Sequence, residues 1–342
     1  MLSYKFIVPL AVVALTATAC SDDNKHHETP TDPNAISFDV AVPKASRAVT
    51  TTQSISEFRV WSFAAGKPFM QNVLVSRTDG SGWTYNPTMY WPLNEPLNFY
   101  CVSPFISTSL ELKGNEADIP GFVNTDGKTD LLYAVNMRET KSPVHVNFRH
   151  ALSQVNFYLK RAQRSASPIR VEVNAVDLLD TYHTGDFEYP EQTTAPNDFR
   201  AIGDWDNQRN VQDASIFKGA MIAIEDNDSH HANNTGYIFA IPQDLRTSVV
   251  TGNSHAGSYA RVLCAVYDQN TNLKLWPPTS LEHQATGAGY VYFPLNDNAR
   301  IDEWEPGRAY NYTLTIDVPA SASSISFDVT VDEMNDFVNA DL

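Results

Sequence analysis

Ile36-Ser37-Phe38-Asp39-Val40-Ala41-Val42 sets Ile, Phe and two Val at alternate positions, with Ser, Asp and Ala between them. A β-strand turns successive side chains to opposite faces, so this spacing lays an apolar row on one side and a polar or small row on the other. The segment reads as a half-buried strand. Outward from it the same period recurs in Phe58/Val60, Val73/Val75, Phe99/Cys101, Val144/Val146/Phe148, Val155/Phe157/Leu159, Val171/Val173, Val262/Cys264/Val266 and Tyr312/Leu314/Ile316. Turn formers punctuate these runs, among them Asp79-Gly80, Asp126-Gly127, Gly257 and Pro277-Pro278. No helical period persists, and residues 131–135 and 150–154 are set apart only as short turns. The fold class is all-β, and many short strands at this spacing imply β-sandwiches.

Composition sets the bounds. The chain has 342 residues, 42% of them hydrophobic and 11% aromatic, enough to fill real interiors and to exclude a wholly disordered protein. At roughly 150 residues per domain this length suggests two units. The pattern lapses in Arg161-Ala-Gln-Arg-Ser-Ala-Ser-Pro168, which places one domain at 36–162 and another at 168–342. A formal charge of -16, from 40 acids against 24 bases, would repel a phosphate backbone and argues against nucleic acid as a partner.

The first residues read as an address. Lys5 precedes an apolar run over 6–17 that is short for a membrane-spanning helix, so 1–19 reads as a signal peptide. Ala17-Thr18-Ala19 directly before Cys20 resembles a bacterial lipobox, which makes Cys20 the lipidation site and acyl chains the anchor in the outer membrane. Ser21-Asp22-Asp23 resembles the acidic tag of surface-exported lipoproteins, and the polar residues up to 35 read as a tether. Cys101 and Cys264 read as buried free thiols, with a bridge between them as the alternative.

Nothing in the motifs points to catalysis. G-x-S-x-G, H-E-x-x-H, a Walker loop and G-x-G-x-x-G are all missing, and the histidines stand in dissimilar contexts. The expectation is therefore a protein that is not an enzyme, with no catalytic residues, no metal site and no cofactor. Asp226-Asn-Asp-Ser-His-His231 hints at a cation loop, yet it lacks the Gly and terminal Glu of an EF-hand and reads as a solvated turn. Trp61, Trp83, Trp91 and Trp304 read as sandwich fillers rather than a sugar platform.

Several short strings recur in order: Phe58-Arg-Val-Trp61, Gly82-Trp83, Met89-Tyr-Trp-Pro92, Leu97-Asn-Phe-Tyr100, Asp130-Leu-Leu-Tyr-Ala134, Val146-Asn-Phe-Arg-His-Ala-Leu152, Phe239-Ala-Ile-Pro242 and Trp304-Glu-Pro-Gly307. In that order they resemble the fimbrillin family, the Mfa-like and Fim-type subunits of type V pili of Bacteroidales. The resemblance implies two tandem transthyretin-like β-sandwich domains after a lipoprotein signal peptide. It also implies a structural pilus subunit (stalk, anchor or tip) that contributes to cell adhesion and has other pilus subunits as partners. Members of that family are cut after an Arg in the first domain; the matching bond here is Arg47-Ala48, just past the first strand.

A second segment explains what the cut would achieve. Ile325-Ser-Phe-Asp-Val-Thr-Val331 agrees with residues 36–42 at six of seven positions. Ile36, Phe38, Val40 and Val42 on one copy, and Ile325, Phe327, Val329 and Val331 on the other, could fill one groove and satisfy one set of edge hydrogen bonds. A sandwich that loses a strand is repaired by an equivalent one from outside, which makes strand donation between subunits the expected mode of assembly. Met334 stands where family members often carry Trp, which leaves open whether 325–331 is donated or stays in its own domain. The competing expectation is a monomeric surface lipoprotein that binds a host, bacterial-surface or glycan ligand.

Overall fold

The structure is a computed structural model that describes residues 32–40, 55–77, 82–104, 110–113, 116–163, 167–190, 202–232, 238–251, 254–296, 301–317 and 326–333. In chain order its first strands are β1 (Phe38–Val40), β2 (Glu57–Ala64), β3 (Lys67–Ser76), β4 (Leu97–Ser103), β5 (Glu111–Lys113), β6 (Glu116–Val123), β7 (Leu132–Glu139), β8 (Val144–Val146), β9 (Arg149–His150), β10 (Ser153–Arg161), β11 (Ile169–Glu188) and β12 (Asp204–Ile224). There follow β13 (His230–His231), β14 (Ile238–Ala240), β15 (Gln243–Asp244), β16 (Val249–Thr251), β17 (Ser254–Ala256), β18 (Tyr259–Asp268), β19 (Lys274–Trp276), β20 (Gly289–Pro294), β21 (Glu303–Trp304), β22 (Arg308–Ile316) and β23 (Ser326–Glu333). One short 3-10 turn, Thr279–Leu281, interrupts them, and the chain is all-β as the alternation requires.

Three sheets carry the architecture. An antiparallel sheet runs in the order β3-β2-β4-β7-β9. Its inner face, with Phe58, Val60, Phe99 and Cys101, shares one apolar core with Ile36, Phe38 and Val40 of the leading segment and with Val144, Val146 and Phe148. A larger sheet, β19-β18-β11-β6-β5 with β12 and β20 at its flanks, packs against β13-β10-β22-β23 over a second core that includes Val155, Phe157, Val171, Val262, Tyr312 and Leu314. A third cluster, containing Trp61, Tyr100, Tyr133, Phe187, Tyr189 and Trp205, buries the outer face of the first sheet against the larger one.

Two segments on the amino-terminal side of the expected 162–168 division pair with strands from its far side. β10 runs parallel to β22 over eight positions, from Gln154↔Ala309 to Arg161↔Ile316. The β5–β6 hairpin joins β11 through pairs such as Phe187↔Ile119. Arg161 anchors this end: its guanidinium donates to the carbonyls of Asp226 and Ile169 and to Gln269 Oε1.

Residues 132–135 of the expected turn belong instead to β7, which starts at Leu132. The strand lies between β4 and β9 and is covered on both sides: Leu132 and Ala134 enter the first core while Tyr133 and Met137 enter the third cluster. A strand buried on both faces loses its polar row, and with it the alternation that marks a strand in sequence. Residues 150–154 likewise span the end of β9 and the start of β10.

Candidate functional site

The leading segment sits in the middle of its surroundings. β1 pairs in parallel with β8, Phe38↔Val144 to Val40↔Val146. On its other edge, a bridge from Ala35 to Tyr90 continues the pairing antiparallel. Ile36, Phe38 and Val40 are 0%, 5% and 5% exposed. Phe38 lies among three rings at edge-to-face angles, with centroids 5.8 Å from Phe58, 5.7 Å from Tyr85 and 5.8 Å from Phe99.

Besides the β1–β8 ladder, six hydrogen bonds from neighbouring segments hold residues 34–37, all through their main chain. Trp91 N–H donates to Asn34 O at 3.0 Å, Ile36 N–H donates to Met89 O at 2.9 Å, and Val144 N–H donates to Ser37 O at 2.8 Å. Tyr85 Oη donates to Ile36 O at 2.8 Å. Ser142 Oγ donates to Ala35 O at 2.6 Å and accepts from Ser37 N–H at 3.0 Å. Ser142 is itself positioned by Trp91 Nε1–H, 2.9 Å away. Burial pushes the Tyr85 hydroxyl above the ordinary tyrosine value, so it keeps the proton it donates. One contact reads a side chain: His145 Nδ1 lies 3.3 Å from Asp39 Oδ2 on the solvent side.

The magnitudes make the seat expensive to empty. Burying an aliphatic or aromatic side chain stabilises by about 1.5–3 kcal/mol, and three of them approach the entire margin of a folded domain, about 5–15 kcal/mol. Departure of β1 would also unpair main-chain groups on two edges, each costing about 1–3 kcal/mol when left buried and unsatisfied. A vacated seat therefore demands a replacement.

The matching carboxy-terminal segment is held differently. β23 pairs antiparallel with β22 from Arg308↔Glu333 to Thr315↔Ser326, which sets Phe327 opposite Leu314, Val329 opposite Tyr312 and Val331 opposite Tyr310. It is the last strand of its sheet, and β22 is its one strand partner among the described residues. In this structure 326–333 thus completes its own chain's sheet. Of the expected site residues, Cys20, Val42, Arg47, Ala48 and Ile325 lie outside the described residues.

The remaining candidates resolve into packing. Trp61, Trp83 and Trp304 are buried, and Trp304 Nε1–H donates to Tyr312 Oη at 3.0 Å. Cys101 and Cys264 are both free and buried. Asp226 Oδ1 accepts from its own turn at Asp228 N–H and lies 2.8 Å from His230 Nε2. No group of three or more His, Cys, Asp or Glu side chains gathers in metal-binding fashion among the described residues. No helix there is long and apolar enough to cross a membrane. The sequence reading missed Tyr85, Ser142 and His145 altogether. Their partners lie 49, 107 and 106 residues away, and such long-range bonds leave no periodic mark.

The sequence matches a family model described as fimbrillin-like over residues 45–333. No curated protein matches the chain. Among solved structures it is similar to a fimbrial protein from Bacteroides vulgatus, at TM-score 0.56 and 14% identity, covering 88% of this chain and 99% of that one. A candidate cell adhesion protein from Bacteroides uniformis gives TM-score 0.49 and 13% identity over 90% of this chain and 100% of that one. Another from Bacteroides ovatus gives 0.48 and 14% over 89% and 98%. At these identities the first likeness speaks for the fold.

Proposed function

The chain belongs to the fimbrillin-like family, and from that premise we propose that it is a structural subunit of a type V surface pilus, contributing to cell adhesion and assembled by strand donation. The observation that carries the reading is the seat of β1. A strand whose apolar row fills a core, and whose polar contacts are almost all main-chain, is replaceable by any segment with the same alternation. The chain carries such a segment, identical at six of seven positions, at 325–331.

In this reading the polypeptide is exported through its signal peptide, lipidated at Cys20 and held at the outer membrane. A protease cuts after Arg47, which severs both the leading strand and the anchor from the body of the subunit. The strand leaves, and a carboxy-terminal strand from another subunit takes its seat. The asymmetry in pairing suits this direction of exchange. The leading segment is held by β8 on one edge and by the bridge at Ala35 on the other, so it needs cleavage and replacement to depart, whereas β23 is paired along one edge, with β22. No catalytic step is part of the role.

The experiment is to isolate the protein from its native surface, sequence its amino terminus and run it on denaturing gels without boiling. An amino terminus at Ala48 with a ladder of stable multimers supports the pilus reading. An uncut monomer that binds a glycan or host ligand would replace it with the ligand-binding lipoprotein.

A further inference from the structure

A cleft of about 310 Å³ opens between the turn that joins β6 to β7, the β11–β12 ribbon and β14. Its size lies at the lower end of the roughly 300–1,000 Å³ of small-molecule sites. It shares no lining residue with the seat of β1. Its walls are fixed by the fold. Asn124 N–H donates to His183 O at 2.8 Å, Asn124 Nδ2 donates to Phe239 O at 2.8 Å, and Asn124 Oδ1 accepts from Gly127 N–H at 3.0 Å. Gly127 has φ +62°, and a Cβ there would meet Ile238 Cγ2 at 3.1 Å, so glycine permits the close approach of this turn to β14. Across the cleft, β11 carries one residue more than β12 between Leu178↔Ala214 and Thr181↔Gln212. Such a bulge reverses the strand's alternation and brings Thr181 to the side of Leu178, where both line the cleft.

The lining mixes apolar and polar chemistry. Leu178, Ile216 and Ile238 supply an apolar wall, and Asp126, Lys128, Gln212 and Asp213 stand exposed around it. Thr181 Oγ1 gives its one proton to Gln212 O at 2.9 Å and lies 3.3 Å from His183 Nε2, so the imidazole is the donor of that pair. Burial lowers the pKa of His183, which keeps the ring neutral at neutral pH and leaves Nδ1 as an acceptor. A single cation beside two carboxylates is a poor seat for phosphate, and the polar groups are too many for a purely apolar ligand. Hydroxyls that both donate and accept, carried on a ring with C–H faces, match this lining. We propose that the cleft binds one hexopyranose residue of a surface glycan, its C–H face on Leu178 and Ile238 and its hydroxyls on Asp126, Lys128, Gln212 and Asp213. Such a site gives the subunit a hold on a sugar-coated surface, and it works whether or not β1 has been exchanged.

The test is saturation-transfer NMR on the full chain, with the methyl glycosides of glucose, galactose, mannose and N-acetylglucosamine as probes. At least one gives a transfer signal, with a dissociation constant on the order of 1 mM, the scale for a ligand of about a dozen non-hydrogen atoms. Ser215→Trp, which fills the cleft from the β12 side, abolishes the signal. Lys128→Ala and Gln212→Ala each weaken binding about tenfold, the effect of one lost hydrogen bond. All three residues are exposed, so the variants keep the circular dichroism of the parent. Tyr290→Ala, which removes an exposed ring outside the cleft, leaves binding as it was. Silence from every glycoside at about 10 mM, or a signal that Ser215→Trp leaves intact, overturns the site. The pilus reading is scored separately, by the amino terminus at Ala48 and the ladder of multimers.

Discussion

Phe38 stands edge-on to Phe99, ring centroids 5.8 Å apart and planes at 88°. The contact ties the leading strand to β4, a strand in the middle of the five-stranded sheet, rather than to any loop. Edge-to-face rings favour this geometry because the positive edge of one meets the negative face of the other, worth about 0.5–1.5 kcal/mol beyond the area buried. The leading strand is thus a full member of the first core, and its loss is felt at the centre of the sheet.

Phe38→Ala is expected to destabilise the amino-terminal core by about 3–5 kcal/mol, the usual range for a buried Phe truncated to Ala. Urea unfolding of the uncut chain, followed by tryptophan fluorescence, measures it, since Trp83 packs 5.0 Å from Phe58 in that core. A shift below about 1 kcal/mol would mean that the strand is peripheral to folding.

Arg47→Ala should leave the precursor intact and suppress polymers, because the covalent link keeps β1 in its seat. Immunoblotting of surface fractions distinguishes the outcomes. Normal fibres from this variant would remove Arg47 from the mechanism.

Cys20→Ala should abolish acylation and release the chain from the membrane fraction. Labelling with a radioactive fatty acid reads this directly, and label that persists in the variant would refute Cys20 as the lipid carrier.

The protein should lose stability in alkali. Burial pushes the Cys264 thiol from 9.0 up to about 12 and raises the Cys101 thiol as well. It pushes the Tyr310 hydroxyl from 10.0 up to about 12, and it also raises Tyr189 and Tyr312. Above the ordinary values the unfolded chain gives up protons that the folded chain keeps, so it binds fewer of them and stability falls as pH rises. The loss should begin near pH 9, where the thiols of the unfolded chain ionise, and run on toward pH 12. Below pH 9 these groups contribute no slope. Melting temperatures from pH 7 to 11 check the sign; a rise across pH 9–11 would contradict the burial of these groups.

Sequence made one level of this structure readable and left another hidden. The alternation in residues 36–42 and 144–148 placed β1 and β8, because each strand buries one face. It failed at β7, where both faces are covered, and it marked only one end of the β11–β12 ribbon, at Val171/Val173. There β12 is exposed along most of its length, and four register shifts break the pairing. The near-identity of 36–42 and 325–331 was visible at once, but not the way each is held. Those differences reside in bonds from Tyr85 and Ser142, and in the edge position of β23, which are properties of the assembled sheets. The tryptophans were legible as filler for the plain reason that large apolar rings are mostly buried, and Trp61, Trp83 and Trp304 are.

The most direct measurement is an electron cryomicroscopy map of polymers formed by the processed chain, examined beside Val144–Val146. The account predicts a strand there with the sequence Ile-Ser-Phe-Asp-Val-Thr-Val, entering from a neighbouring molecule, with its Phe among Phe58, Tyr85 and Phe99. Residues 36–40 of the same molecule still lying in that position would contradict it.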